Sequence, residues 1–317
     1  MLTDLPLSVV IPTHNPDPER LRRTLAGLRG QTLPFAQWET ILVDNASTHF
    51  PAEVDIRHDA PRNLRLIGEP LVGLTAARTR GLRAAAGGLV VLVDDDNVLA
   101  PDFLEQAVVI MSSNPILGAI GGKSHPEFTA PPPAWAREFF PLLALRDPGN
   151  EPVTADTLRP AGSSHNVYPA CAPIGAGMVL RRAAWQAWLE ARSSSAGPGD
   201  RRGSELSSSG DNDIVLTIMR AGWAVGYFPQ LALTHLIPAS RLQAGYLARL
   251  NRGIQQSWMQ VLALHDASPW PPLTRVGALL REIKAWFAYR AWSSPSAYIR
   301  WQGACGQFEG RASLSRR

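Results

Sequence analysis

Residues 89–97 read Leu89-Val90-Val91-Leu92-Val93-Asp94-Asp95-Asp96-Asn97: five apolar residues, three of them valine, that stop against three consecutive carboxylates. A short β-branched run without polar alternation fits a strand buried on both faces of a parallel sheet. Aspartate is a poor strand former and is costly to bury unpaired, so the strand should end at Asp94. Three adjoining acids call for positive charge nearby. A divalent cation with oxygen ligands, Mg2+ or Mn2+, suits them. A helix N-cap with solvated turn residues is the plainer alternative for three aspartates taken alone.

Two upstream runs end in the same way. Leu7–Ile11 runs into Pro12-Thr13-His14-Asn15, and Thr40–Val43 runs into Asp44-Asn45-Ala46-Ser47. A third short strand is expected over Leu64–Ile67. Between them lie helical patterns. Asp17-Pro18-Glu19 is a helix start, followed by Leu21, Leu25 and Leu28 at helical spacing. Further helices are expected over about Thr75–Ala86 and from Pro101 to about Ser112. Alternating strand and helix implies an α/β fold, with right-handed crossovers and a mostly parallel, Rossmann-like sheet flanked by helices. Ligands of such sheets collect outside the carboxyl ends of the strands, where all three polar clusters fall.

The second half is less regular. Gly121–Gly162 holds a proline patch, Pro131–Pro133, and an aromatic helical stretch around Trp135–Leu143. A strand is expected over Pro173–Leu180, with Gly175 and Gly177 permitting close backbone approach. Then come a helix over Trp185–Arg192, a Ser/Gly-rich loop over Ser193–Gly210 and a helix over Asp211–Gly222. Two strands are expected over Trp223–Phe228 and Leu231–Leu236, and two helices over about Ala239–His265 and Leu273–Trp292. The expected organisation is a catalytic domain over 1–238, with a nucleotide-binding half to about 123 and an acceptor half over 124–238. A C-terminal helical extension over 239–317 follows.

The composition, 45% apolar and 18% charged over 317 residues, supports a packed core and excludes a disordered chain. Two cysteines, Cys171 and Cys305, build no disulfide framework. No apolar run nears the roughly 20 residues of a spanning helix, and the first residues lack a signal-peptide pattern. The expected location is the cytoplasm. The net charge of +4 is uneven: residues 271–317 carry eight Lys/Arg against two Asp/Glu.

The stretches VVIPTHN (9–15), ILVDNAS (41–47), GLTAARTRG (73–81), VLVDDDN (91–97) and SGDNDIVLTIMRAGW (209–223) occur in this order and at suitable spacing. Together they resemble a family 2 glycosyltransferase of the GT-A fold, over about residues 7–250. The resemblance implies an inverting, metal-dependent transfer of sugar from a nucleotide diphosphate-sugar, a UDP-sugar by expectation, to an acceptor hydroxyl. Bacterial surface polysaccharide or glycolipid synthesis is the implied setting, with a carbohydrate or lipid-linked acceptor and no nucleic acid. It assigns Pro12, Thr13, Asn15, Asp44, Arg78, Asp94 and Asp95 to the nucleotide side. It assigns Asp96 to the metal, with His235 as a second candidate ligand. The catalytic base aligns with Asp211. Because Gly210 stands where an acid is common, Asp213 is the alternative base. Residues two apart on a helix do not share a face, so one of the two should point at the sugar. Arg241 and Arg249 are candidates for phosphate contact or for solvated helix charges.

Three rival readings have discriminators. A nucleotidyltransferase would favour a basic, glycine-rich loop after the first strand, yet no Lys or Arg occurs there before Arg20. A receiver domain would explain Asp94–Asp96 but not the acids at 211 and 213. A catalytically degenerate nucleotide-binding protein would bind donor without transfer. The last expected helix carries Val276, Leu279, Leu280, Ile283 and Phe287 on one stripe, with Arg281, Lys284 and Arg290 among them. Packing of that stripe on the catalytic domain, with snorkelling cations, is the favoured expectation. Contact with an anionic membrane surface, at the inner face of the membrane, is the other.

Overall fold

The computed structural model describes residues 6–160, 162–163, 165–193 and 209–314. The expected loop over 193–210 lies almost wholly outside them.

The chain opens with β1 (Leu7–Thr13), α1 (Pro18–Arg29), β2 (Trp38–Asp44), α2 (Glu53–Asp59), β3 (Leu64–Gly68), α3 (Leu74–Ala84) and β4 (Leu89–Leu92). The four strands are parallel neighbours in the order β3-β2-β1-β4. The apolar runs of β1 and β4 have the physical cause expected: both faces are covered, whereas the edge strand β3 carries the exposed Arg65. Leu7, Val9 and Ile11 of β1 enter a core with Leu21, Leu25 and Leu28 of α1, whereas Val10 enters a second core with Ala77 and Leu82 of α3. Asp17 caps α1 by accepting from the Arg20 amide at 3.0 Å, with Pro18 at the first turn.

The remaining elements are β5 (Asn97–Leu99), α4 (Phe103–Ser113), β6 (Leu117–Phe128), β7 (Val153–Ala155), β8 (Met178–Arg181), α5 (Arg182–Ser193), α6 (Gly210–Arg220), β9 (Ala224–Ile237), α7 (Ala244–Leu264), α8 (Arg275–Ala288) and α9 (Pro295–Ser313). They continue the sheet as β4-β8-β6-β9-β5, with β7 also on β9. Here the pairing is mixed, since β8, β5 and β7 run antiparallel to their neighbours. The fold is the α/β, GT-A-type arrangement expected, parallel on one side and mixed on the other.

Several local expectations are corrected. The two strands foreseen over 223–236 are one, β9. Its pairing with β6 jumps from Gly121↔Tyr227 to Lys123↔Ala232. The extra residues bulge over Gly122, where a β-carbon would lie 1.8 Å from the Leu231 carbonyl oxygen. Pro229 sits in that bulge, where no ladder amide is required. The strand foreseen from Pro173 begins only at Met178, because Gly177 turns at φ +70°. The stretch 134–143 is a 3-10 helix containing Pro141. α9 was not foreseen, because it packs on α7 through small residues: β-carbons on Gly306 and Gly310 would lie 2.1 and 2.5 Å from α7 carbonyl oxygens. Among the described residues no helix is long and apolar enough to cross a membrane.

Candidate active site

The carboxyl ends of β1, β2 and β4 form the polar rim of the sheet. Thr13 and Asp44 are register partners on β1 and β2. The buried Thr13 hydroxyl donates to Asp95 Oδ2 across the β4 end. Asn15, at φ +49°, ties the loop after β1 to the loop after β2, where its Oδ1 accepts from the Thr48 and His49 amides at 2.8 and 2.9 Å. Asp44 Oδ1 accepts from the Ser47 amide at 3.1 Å, and Pro12 is buried in β1.

Asn45, absent from the sequence-based candidates, ties the rim together. Its Nδ2 donates to the Glu69 and Leu71 carbonyls at 3.0 and 2.7 Å, and its Oδ1 accepts from the Gly73 amide at 2.7 Å. That last bond fixes the start of α3, which carries Arg78. Arg78 is buried. Its Nη2 stands 3.3 Å from Asp94 Oδ1, while its Nε is buried without a partner. A buried guanidinium with spare donors marks a place for an anionic ligand.

The three aspartates differ sharply. Burial, reinforced by the Asp96 charge, pushes Asp95 up to about 7. Burial would raise Asp96 too, but the His235 hydrogen bond and the His235 and Arg241 charges outweigh it, and Asp96 is held at about 2. Asn97 and His235 are cross-strand partners on β5 and β9, which brings the imidazole to Asp96. His235 Nε2 is 3.4 Å from Asp96 Oδ1 and 3.2 Å from Arg241 Nη1, and Arg241 Nη1 is 3.0 Å from Asp96 Oδ2. His235 Nδ1 is buried with no partner.

Among the described residues no group of three or more His, Cys, Asp and Glu side chains is arranged to hold a metal ion. The donor set nonetheless fits a divalent cation that shares its shell with a ligand. One carboxylate and one imidazole lie side by side, the imidazole is short of hydrogen bonds, and Mg2+-type sites commonly take one or two protein ligands with phosphate oxygens and water.

The second acidic pair separates as helix geometry requires. Asp213 is buried on the inner face of α6, where Oδ2 accepts from Trp188 Nε1 at 2.8 Å, Oδ1 meets His265 Nε2 at 2.9 Å and Arg192 Nη1 is 3.4 Å away. Burial works to raise its pKa, but the hydrogen bonds of His265 and Trp188, with the His265 and Arg192 charges, hold it below the ordinary carboxylate value. Asp211, one face round, is half-buried, and its Oδ2 accepts from the Gly175 amide at 2.9 Å. Gly175 also abuts Arg78: a β-carbon there would lie 2.7 Å from Arg78 Nη2. Asp211, Gly175, Arg78 and Asp94 therefore form a continuous chain of contacts from α6 to the sheet rim. Asp213 belongs to no part of it. Arg249 lies on α7 and makes no ion pair among the described residues.

Residues 8–161 match the family model for Glycosyl transferase family 2. Over these residues, just under half of its length, the chain is similar to glycosyltransferase family 2. It is similar to Glycosyltransferase AglE of Haloferax volcanii, 31% identical over 143 residues, 44% of this chain and 46% of that protein. It is also similar to the Glucosyl-dolichyl phosphate glucuronosyltransferase of the same organism, 29% identical over 136 residues, 43% of this chain and 42% of that protein. The chain thus spans less than half the length of these relatives. The crystal structure of S. aureus TarS superposes with a TM-score of 0.51 at 15% identity, covering 93% of this chain and 54% of that one, and so shares the fold.

Proposed function

We propose that this chain is an inverting family 2 glycosyltransferase that moves a sugar from a nucleotide diphosphate-sugar, read as a UDP-sugar, to an acceptor hydroxyl on a carbohydrate or lipid carrier. The observation that carries the reading is the contact chain Asp211–Gly175–Arg78–Asp94, which sets a half-buried carboxylate, held by backbone amides, beside the polar rim. The acceptor hydroxyl gives its proton to Asp211 as its oxygen bonds to the anomeric carbon. The bond from that carbon to the diphosphate breaks on the opposite side, and its electron pair leaves with the phosphate oxygen. In-line attack inverts the configuration. A positioned base contributes about 10²–10⁴ in rate. Arg78 and Arg241 stand ready for the charge that grows on the leaving group. Asp96 and His235 would hold a divalent cation, Mn2+ or Mg2+, which supplies Lewis-acid neutralisation of the diphosphate when bound.

The test is a thermal-shift panel of nucleotide-sugars with and without Mn2+, read beside turnover. One donor class should stabilise the wild type through ligand linkage. Asp96→Ala should lose the Mn2+-dependent part. Asp211→Asn should keep donor stabilisation while kcat falls about 10²–10⁴-fold. Turnover by Asp211→Asn at the wild-type rate would falsify the base assignment. Donor binding without transfer to any hydroxyl acceptor identifies a nucleotide-binding scaffold instead.

A further inference from the structure

α8 is built inside out. Its small residues, Ala278 and Ala285, face α9, whereas Val276, Leu279, Leu280, Ile283 and Phe287 stand 51–67% exposed on one stripe. The expectation that this stripe packs on the catalytic domain is therefore overturned. An amphipathic helix normally buries its large apolar side chains, so an outward stripe of this size marks a contact surface. The support beneath is firm. Trp286 packs edge-on to Trp301 of α9 at 4.7 Å, and the Trp301 indole donates to the Glu282 carbonyl at 3.0 Å.

Charge decides what covers the stripe. Arg275, Arg281, Lys284 and Arg290 are exposed around it, and none makes an ion pair among the described residues. The two acids of the region are turned away: Glu309 pairs with Arg252 of α7, and Glu282 is half-buried beside it. A second copy docked on this face would bring four cations against four. Trp292 and Tyr289 are exposed at the carboxyl end, the amphipathic aromatics that favour a lipid headgroup zone.

We infer that α8 is an interfacial helix that seats the chain on an anionic lipid surface. The apolar stripe enters the headgroup boundary, and the flanking cations meet lipid phosphates. This inference stands apart from the transferase reading.

The experiment is co-sedimentation of the full chain with vesicles of phosphatidylcholine alone or mixed with phosphatidylglycerol. Wild type should bind the anionic vesicles strongly and the neutral ones weakly. Leu280→Ser/Phe287→Ser should abolish binding. Arg281→Glu/Lys284→Glu should reduce it by about 25-fold or more, roughly fivefold per cation. Circular dichroism should match wild type in both, since every substituted side chain is exposed. Equal binding to both vesicle types, or binding that the serine variant retains, overturns the inference. So does a dimer in sedimentation velocity that the serine variant dissociates, which would assign the face to a second copy.

Discussion

The two ends of the one sheet treat buried polar groups in opposite ways. At the amino end, Ser8 Oγ donates to Glu39 Oε1 at 2.8 Å and accepts from the Gly87 amide at 2.8 Å. Glu39 also accepts from the Ala86 amide at 2.6 Å and from Arg65 at 2.7 Å. Donors and acceptors there close on each other. At the carboxyl end, Arg78 Nε, His235 Nδ1 and Asn97 Oδ1 are buried without protein partners. Buried polar groups are nearly always paired, so a cluster of exceptions at one rim is where a ligand belongs. The closed end holds strands in place, and the open end holds chemistry.

Breaking the closed end should give the largest effect on stability. Glu39→Ala leaves the Ser8 hydroxyl and the Ala86 amide as buried donors without acceptors, while Arg65, half-exposed, returns to water. Two orphaned groups cost about 3 kcal/mol, read as a fall in the urea midpoint at unchanged slope. The kcat of the folded fraction should stay near wild type. A loss of kcat at intact stability would mean that the two ends are not separate.

The same contrast recurs within one turn of α6. Asp213 is closed off by the side chains of Trp188, His265 and Arg192, whereas half-buried Asp211 accepts from the backbone amides of Gly175 and Asn212. Asp213→Asn should cost about 2 kcal/mol at neutral pH, the typical worth of hydrogen bonds to a charged group. The cost should depend on pH with a definite sign. The folded Asp213 carboxyl lies below its ordinary value of 3.8, so the unfolded chain takes up the proton first as pH falls. The stability that this carboxylate contributes is complete above about 4 and drains as pH falls through the folded value. Denaturant melts of wild type and Asp213→Asn should therefore converge on acidification. A gap that stays constant down to pH 3 would show that the charge of Asp213 contributes nothing.

The parallel half of the fold was legible because β1, β2 and β4 are buried on both faces and therefore carry apolar runs that stop at polar residues. β6 was not, because LGAIGGKSHPEF carries glycine for the close approach of β9 and polar residues toward the rim. α9 hid for a related reason: a helix that packs through Gly306 and Gly310 has no leucine stripe to read. At the site, helix spacing showed that one of Asp211 and Asp213 must turn inward. It did not show which, since the partners that decide it, Trp188 and His265, lie 25 and 52 residues away. Asn45 was visible as part of a polar strand end, but its three-way tie to 69–73 exists only in the folded chain.

The smallest change predicted sits at the joint between the open rim and α6. Gly175→Ala adds a single β-carbon, 2.7 Å from Arg78 Nη2 and 3.3 Å from its Cζ. The atoms in the way are the far end of a flexible side chain, so the backbone need not move and stability should change by less than about 1 kcal/mol. The guanidinium must give ground, however, and its contact with Asp94 is long enough at 3.3 Å to be lost. If Arg78 meets the donor, kcat/KM should fall about tenfold, equivalent to about 1.4 kcal/mol, with the Gly175 amide still held by Asp211. Arg78→Lys in the same background should restore part of it, because the shorter cation clears the new methyl group. An unchanged kcat/KM in Gly175→Ala would remove Arg78 from the donor side and leave the open rim to Asp96, His235 and Arg241 alone.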